Sequence, residues 1–154
     1  MLSIGVTHEG KFKFILGQGE SVAGLRMEMQ QVMEEDCGVF RSEEVLQTGV
    51  DKIEALAARL ENARLKDHSR IFNTARIEAM ELENLMAVAL ATVKSAHERR
   101  ESRGAHSRID YPERDDVHWL RHSLYYGDTR SIDYKPVRTR PISVETFPPK
   151  ERVY

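Results

Sequence analysis

Hydrophobic positions along this chain change their spacing twice, and the changes divide it into three stretches. In residues 1–20, Leu2, Ile4 and Val6 alternate with small or polar residues, and Phe12 and Phe14 alternate again after Glu9–Gly10. Alternation on both sides of a turn predicts a short hairpin over 1–20. From Ser21 the spacing becomes helical. Leu25, Met29 and Val32 share one face, and this helix should stop near Asp36–Gly38, with Gly38 as the residue just past its cap. Ser42 followed by Glu43 and Glu44 marks a second start: the hydroxyl can accept an orphan amide proton, and the acids suit the positive end of a helix. The stripe behind it is Leu46, Val50, Ile53, Leu56, Ala57 and Leu60. Gly49 inside that helix costs about 1 kcal/mol against alanine, so it points to close packing of a neighbour.

A third helix is predicted from Asn73 or Thr74 to about Arg103, stopped by Gly104. Leu82, Leu85, Met86, Ala89, Val93 and Ala96 form its stripe, which Ile77, Met80 and Val88 widen. At about 1.5 Å per residue, its roughly 30 residues reach about 45 Å. So wide a face asks for two partners, and the two shorter helices supply them. The predicted fold class is mainly α: an antiparallel three-helix bundle over 21–104, up-down-up, with short loops. A β-hairpin and an extended C-terminal tail follow it. "HWLRHSLYY" and "SIDYKPV" flank Gly127–Asp128 and read as that hairpin. The tail "RPISVETFPPKERVY" carries three prolines and must be extended, yet Ile142, Val144, Phe147 and Tyr154 make it too apolar to lie free. Residues 105–154 are therefore a charged loop, hairpin and tail that pack on the bundle or on another domain.

A length of 154 residues fits one domain with a real core, and 40% hydrophobic with 31% charged residues reads as globular. With 23 basic and 25 acidic residues the net charge is −2, which gives no general affinity for nucleic acid. The one cysteine, Cys37, excludes an intrachain disulfide and a multi-cysteine metal site, and it fits a reducing compartment. Leu85–Ala91 is the longest apolar run, far short of the roughly 20 residues of a membrane span, so no direct membrane insertion is expected. The first residues lack the basic start of a signal peptide.

Candidate chemistry is sparse. His118 and His122 have the spacing that binds metal on a helix, but their surroundings favour a strand, where they are ordinary polar positions. Ser102, His106 and Asp110 have the residue types of a triad without a nucleophile elbow. "GQGES" at 17–21 lacks the third glycine and the strand–turn–helix setting of a phosphate loop. Met27, Met29, Met33, Met80 and Met86 lie at helical spacing and read as core rather than as an adaptable groove. No catalytic, cofactor-binding or metal residue is assigned. The densest feature is "ERRESRGAHSRIDYPERDD", where Arg99, Arg100, Arg103 and Arg108 precede Asp110, Glu113, Asp115 and Asp116. Arginines at a helix end complement its dipole and following acids pair with them. The other reading is a free-standing helical adaptor that binds RNA or protein through Arg99–Arg108.

Read as a unit, "ERRESRGAHSRIDYPERDDVHWLRHSLYY", "DYKPV" and "FPPKERVY" follow "EMQQVMEEDCGVFR" and "FNTARIEAMELENLMAVALATVKSAHERRESRG". In this order they resemble the C-terminal end of the succinate dehydrogenase/fumarate reductase flavoprotein family, most of all its succinate dehydrogenase members. Aspartate oxidase shares something like the "ESRG-H-DYP" core. The resemblance runs from Leu25 to Tyr154, and residues 1–24 fall outside it. It implies the helical domain of an FAD-dependent oxidoreductase that oxidises succinate to fumarate and passes electrons through iron–sulfur clusters to quinone. Such an enzyme is cytoplasmic and peripheral on the inner face of the membrane. The family's flavin-binding, covalent-attachment and substrate motifs belong upstream and are not in this chain, which is expected to be inactive alone and to hold no cofactor. The implied partners are the flavin-binding domain of the same subunit and the iron–sulfur subunit, with no nucleic acid. Arg103, His106, Arg108, Asp110, Arg114 and Asp116 are the candidates for interdomain or intersubunit contact; the alternative is a solvated, self-paired loop. Fumarate reductase and aspartate oxidase C-terminal domains are the alternative family members.

Overall fold

The computed structural model describes residues 19–67, 69, 71–147 and 150. The hairpin expected over 1–20 therefore lies outside the described residues, except for its end. There a two-residue strand β1 (Glu20–Ser21) pairs in parallel with β2 (Ala63–Arg64). Three helices, α1 (Val22–Asp36), α2 (Glu43–Leu60) and α3 (Thr74–Glu98), carry the core. Two strands, β3 (Arg121–Tyr126) and β4 (Ser131–Pro136), form an antiparallel hairpin with Arg121 opposite Pro136 and Tyr126 opposite Ser131. The left-handed residue of its turn is Arg130, φ 53°, rather than Gly127.

Each helix begins on a side-chain cap. Ser21 Oγ accepts from the Gly24 amide at 3.4 Å, Ser42 Oγ from Val45 at 3.4 Å, and Asn73 Oδ1 from Arg76 at 2.7 Å. These short polar side chains satisfy donors that the first turn leaves without partners. Every helix touches the other two. Leu25 and Met29 of α1, Leu46, Val50, Ile53, Leu56 and Leu60 of α2, and Ala79, Leu82, Met86, Ala89, Leu90, Val93 and Ala96 of α3 make one core. Burying each large aliphatic side chain contributes about 1.5–3 kcal/mol, so this cluster holds the helices together.

The predicted α3 differs from the observed one at its end and on its outer face. It stops at Glu98, and Arg99 turns away with φ −81° and ψ 106°. The segment to Arg103 leaves the helix because Glu101 is drawn inside the protein. Gly104 ends no helix; with φ +57° it occupies the left-handed corner of a tight turn between Arg103 and His106. On the outer face Ile77, Leu85 and Val88 are 57%, 40% and 63% exposed, while Ala79 and Leu90 take core positions instead. The two shorter helices cover one side of α3 and not the other. The methionines divide similarly: Met29 and Met86 are buried, Met33 packs at the core edge, Met80 is half-buried and Met27 is exposed. The connection 61–73 is longer than the short loops expected.

Two glycines act through space rather than through backbone freedom. A Cβ at Gly49 would lie 3.0 Å from Asp36 Cβ and 3.2 Å from Val93 Cγ2, the close three-helix approach that its sequence position suggested. Gly38 sits just past the Cys37 cap, as expected, but it is not left-handed; a Cβ there would lie 2.5 Å from the Glu34 carbonyl oxygen, so close contact is what requires the glycine. Residues 137–147 carry no helix or strand, and Ile142, Val144 and Phe147 are exposed. Backbone cannot retreat as a flexible side chain can. Gly38→Ala is therefore expected to destabilise the chain by about 2 kcal/mol, read as a lower urea midpoint at unchanged slope.

Candidate contact surface at the end of the third helix

The last carbonyls of any helix lack intrahelical partners. In α3 a guanidinium from further along the chain supplies them. Arg108, 1% exposed, donates through Nη1 to the His97 carbonyl at 2.9 Å and the Ala96 carbonyl at 3.4 Å. Its Nε and Nη2 grip Asp110 at 2.8 and 2.7 Å, and Nη2 also reaches Glu43 Oε2 at 2.7 Å. The Tyr111 ring lies against the guanidinium, 5.1 Å from its centroid. Glu43 is the first residue of α2, and its amide donates to Asp110 Oδ2 at 2.9 Å. One cation thus sits at the negative end of α3 while two acids sit at the positive start of α2, so both dipoles favour the arrangement.

A second polar knot lies beside the first. The Glu101 side chain is fully buried and accepts from Arg99, from Arg103 Nε at 2.8 Å and Nη2 at 3.0 Å, and from the Asp115 amide at 2.9 Å. Arg99 also donates to the Trp119 carbonyl at 3.0 Å and the Arg121 carbonyl at 2.6 Å, which ties the start of β3 to the end of α3. Isolated, a buried carboxylate would be strongly unfavourable; here the donors replace its lost water. Burial pushes the Glu101 carboxyl up, yet bonds from Arg103, the Asp115 amide and Arg99 together outweigh it and hold it below the usual carboxylate range. The bond from Arg108 holds Asp110 and Glu43 below that range, and the bond from Arg103 does so for Asp116.

The six candidate contact residues fall into two groups. Arg103, Asp116 and Arg114 form a partly exposed chain, with Arg103 Nη2 to Asp116 Oδ1 at 2.6 Å and Arg114 Nη2 to Asp116 Oδ2 at 3.1 Å. Arg114 Nη1 also donates to the Lys150 carbonyl at 2.8 Å. Arg108 and Asp110 form the other group, and Arg108 is enclosed by this chain's own atoms; all its donors are used internally, so it shapes the surface from beneath. His106 is half-buried, with Nδ1 2.9 Å from Arg41 Nη1 and Nε2 3.1 Å from the Arg99 carbonyl. Sequence reasoning missed Glu101 and Arg41 and read Arg99 and Glu43 only as charges at helix ends. Glu101 had one visible signal, a single acid inside a run of four arginines. Arg41 had none, because 65 positions separate it from His106.

The other candidate chemistries are not assembled. Ser102 Oγ donates to the Tyr111 carbonyl and accepts from the Arg108 amide, so it braces the loop and does not face His106 as a nucleophile would. His118 sits in a turn with Nδ1 on Asp115, and His122 lies on β3, so the two do not share a helix face. Two glycines of "GQGES" bracket the start of the described residues, and Ser21 there is the α1 cap. Among the described residues no helix is long and apolar enough to cross a membrane.

Three helices with a polar knot and an antiparallel hairpin can now be set against known proteins. Residues 26–154 match the family described as fumarate reductase flavoprotein C-term. The succinate dehydrogenase flavoprotein subunit of Coxiella burnetii is 53% identical over 133 residues, 86% of this chain and 22% of that protein. The fumarate reductase flavoprotein subunit of Haemophilus influenzae is 43% identical over 138 residues, 88% of this chain and 22% of that protein. Among solved structures, E. coli quinol fumarate reductase superposes with a TM-score of 0.81 at 37% identity, covering 96% of this chain and 25% of the other. The chain belongs to the C-terminal domain family of the succinate dehydrogenase and fumarate reductase flavoprotein subunits. It spans about a fifth of the length of the curated relatives it matches.

Two expectations follow from the knots. Removing one partner of a buried pair strands the other charge, so Arg108→Met and Glu101→Gln should each cost about 3 kcal/mol in urea unfolding. Arg114→Ala, on the rim, should cost below about 1 kcal/mol. The second expectation concerns acid. Glu101, Glu43, Asp110 and Asp116 titrate lower folded than free, so their stabilisation is fully present above the free values of 4.5 and 3.8, declines below them and is lost as pH falls through the lower folded values. The thermal midpoint should fall steeply on acidification below about pH 4.5, and less steeply in Glu101→Gln.

Proposed function

We propose that this chain is the non-catalytic C-terminal part of a flavoenzyme that oxidises succinate to fumarate and delivers the electrons through iron–sulfur clusters to quinone. The observation that carries this reading is the family match over 26–154. The higher identity to a succinate dehydrogenase flavoprotein subunit, 53% against 43% for a fumarate reductase one, favours the oxidising direction. In this reading the enzyme is cytoplasmic and peripheral on the inner face of the membrane, and this part of it inserts no helix into the bilayer. The helices run up-down-up within 22–98, and the described residues after them pack on the bundle or against the neighbouring domain. The chain's role is to present a rigid polar surface to the flavin-binding domain of its own subunit and to the iron–sulfur subunit. Arg103, Arg114 and Asp116 offer partly exposed hydrogen-bonding groups at that surface, and His106, Arg108 and Asp110 hold its shape. Polar, interspersed charge suits contacts between domains, which need not be strongly apolar.

The charged loop after α3 does not fit FAD. A pyrophosphate calls for unpaired donors, and Arg99, Arg103 and Arg108 there are bound by Glu101, Glu43, Asp110 and Asp116. The same pairing weakens the adaptor reading, since a phosphate backbone would have to displace carboxylates already in place. In this reading FAD is held by the rest of the subunit, and this chain supplies no step of the chemistry.

A chimera tests the reading. The Coxiella burnetii flavoprotein subunit, with this chain replacing its own matching end and expressed with its iron–sulfur partner, should purify as a yellow complex that reduces a dye with succinate. The chain alone should be colourless and inactive. A chain that binds flavin by itself, or a chimera that folds but fails to hold the iron–sulfur subunit, would count against the proposal.

A further inference from the structure

His106 has both ring nitrogens engaged, and the chemistry of its partners dictates its protonation. Arg41 is a permanent cation whose N–H groups can only donate, so Nδ1, 2.9 Å from Arg41 Nη1, must accept. The Arg99 carbonyl can only accept, so Nε2, 3.1 Å away, must carry the proton. The bonds therefore select the neutral ring with its hydrogen on Nε2. A second proton would remove the acceptor for Arg41 and point a new N–H at a guanidinium.

The charges around the ring sharpen this choice. Arg41 faces it from the α1–α2 connection, and Arg99 and Arg108 face it from the end of α3 and the following loop. The nearby acids are turned elsewhere: Glu101 holds Arg99 and Arg103, Asp116 holds Arg103, and Asp110 and Glu43 hold Arg108. Cys37, near Arg41, has its thiol pushed up by burial and stays uncharged. Burial holds the His106 ring below its ordinary range, and the neighbouring arginines add to this.

What the bond holds is also visible. Arg41 donates to the Gly38 and Cys37 carbonyls just past α1, and its own carbonyl accepts from the Ile109 amide at 2.8 Å. The Arg103–His106 turn closes by two backbone bonds of 2.8 and 3.0 Å and exposes Gly104 and Ala105. We propose that His106 is a proton-operated latch: neutral, it ties this turn to the α1–α2 connection through Arg41; protonated, it releases the turn. The latch stands on these bonds alone. That its release loosens contact with the flavin-binding domain rests on the function proposed above.

The test uses the full chain. At about pH 7, nitrogen-15 spectra of the ring should show a bare Nδ1 and a protonated Nε2, and the ring should titrate below the free value of 6.5. A midpoint at or above that value, or the opposite tautomer, overturns the proposal. Amide exchange supplies the second measurement. Protection at Arg103, His106 and Ile109 should fall on the order of tenfold between about pH 7 and pH 5, after correction for intrinsic rates, while Leu82–Val93 stays unchanged. In His106→Gln, whose amide can accept from Arg41 and donate to the carbonyl without titrating, protection should not depend on pH. Loss on acidification that is equal in variant and wild type, or absent from wild type, would show that no latch exists. These outcomes concern the chain alone, so they stand apart from the fate of the chimera.

Discussion

Arg108 is the group on which the end of this fold depends. A helix terminus, a helix start and a loop all need polar partners at one point, and water cannot enter because the guanidinium is wholly enclosed. Its planar fork of donors meets carboxylates on one side and helix carbonyls on the other, which a lysine ammonium could not do at once. The arrangement is thermodynamically demanding, since charges withdrawn from water are tolerated only when every donor is used. That demand gives the loop after α3 one conformation. The Glu101 knot extends the same logic to the hairpin, and Arg99 is the residue shared between α3, the loop and β3.

Much of the architecture was legible because its causes are local. Ser21, Ser42 and Asn73 cap their helices through side chains that reach only three residues ahead. The α2 stripe is buried as its period requires, and the aromatic and β-branched runs around Gly127–Asp128 pair as a hairpin. Close packing at Gly49 could be read from the cost of placing glycine in mid-helix. The family resemblance was legible for another reason: the charged motif after α3 is long, ordered and unlike ordinary solvated surface.

The end of α3 was not legible, and the reason is physical. Arg99 to Arg103 are acceptable helix formers, so nothing local stops the helix. Contacts with Trp119, Arg121 and the Asp115 amide stop it, and these lie far along the chain. The outer face of α3 failed in the opposite direction. Ile77, Leu85 and Val88 look like core by period, but hydrophobicity does not say which neighbour will cover a residue. In the contact surface, Arg103 and Asp116 were named for their charge alone; what set their geometry was Glu101, an acid whose one signal was its place inside a run of arginines.

Because Arg99 hands its guanidinium from the end of α3 to the backbone of β3, the helix and the hairpin are geared together. Inserting one residue within α3 would advance its end by about 1.5 Å and rotate it by about 100°. Arg99 would then point away from the Trp119 and Arg121 carbonyls, and the Ala96 and His97 carbonyls would leave Arg108. The length of α3 is thus not free to drift, although most of its outer surface is.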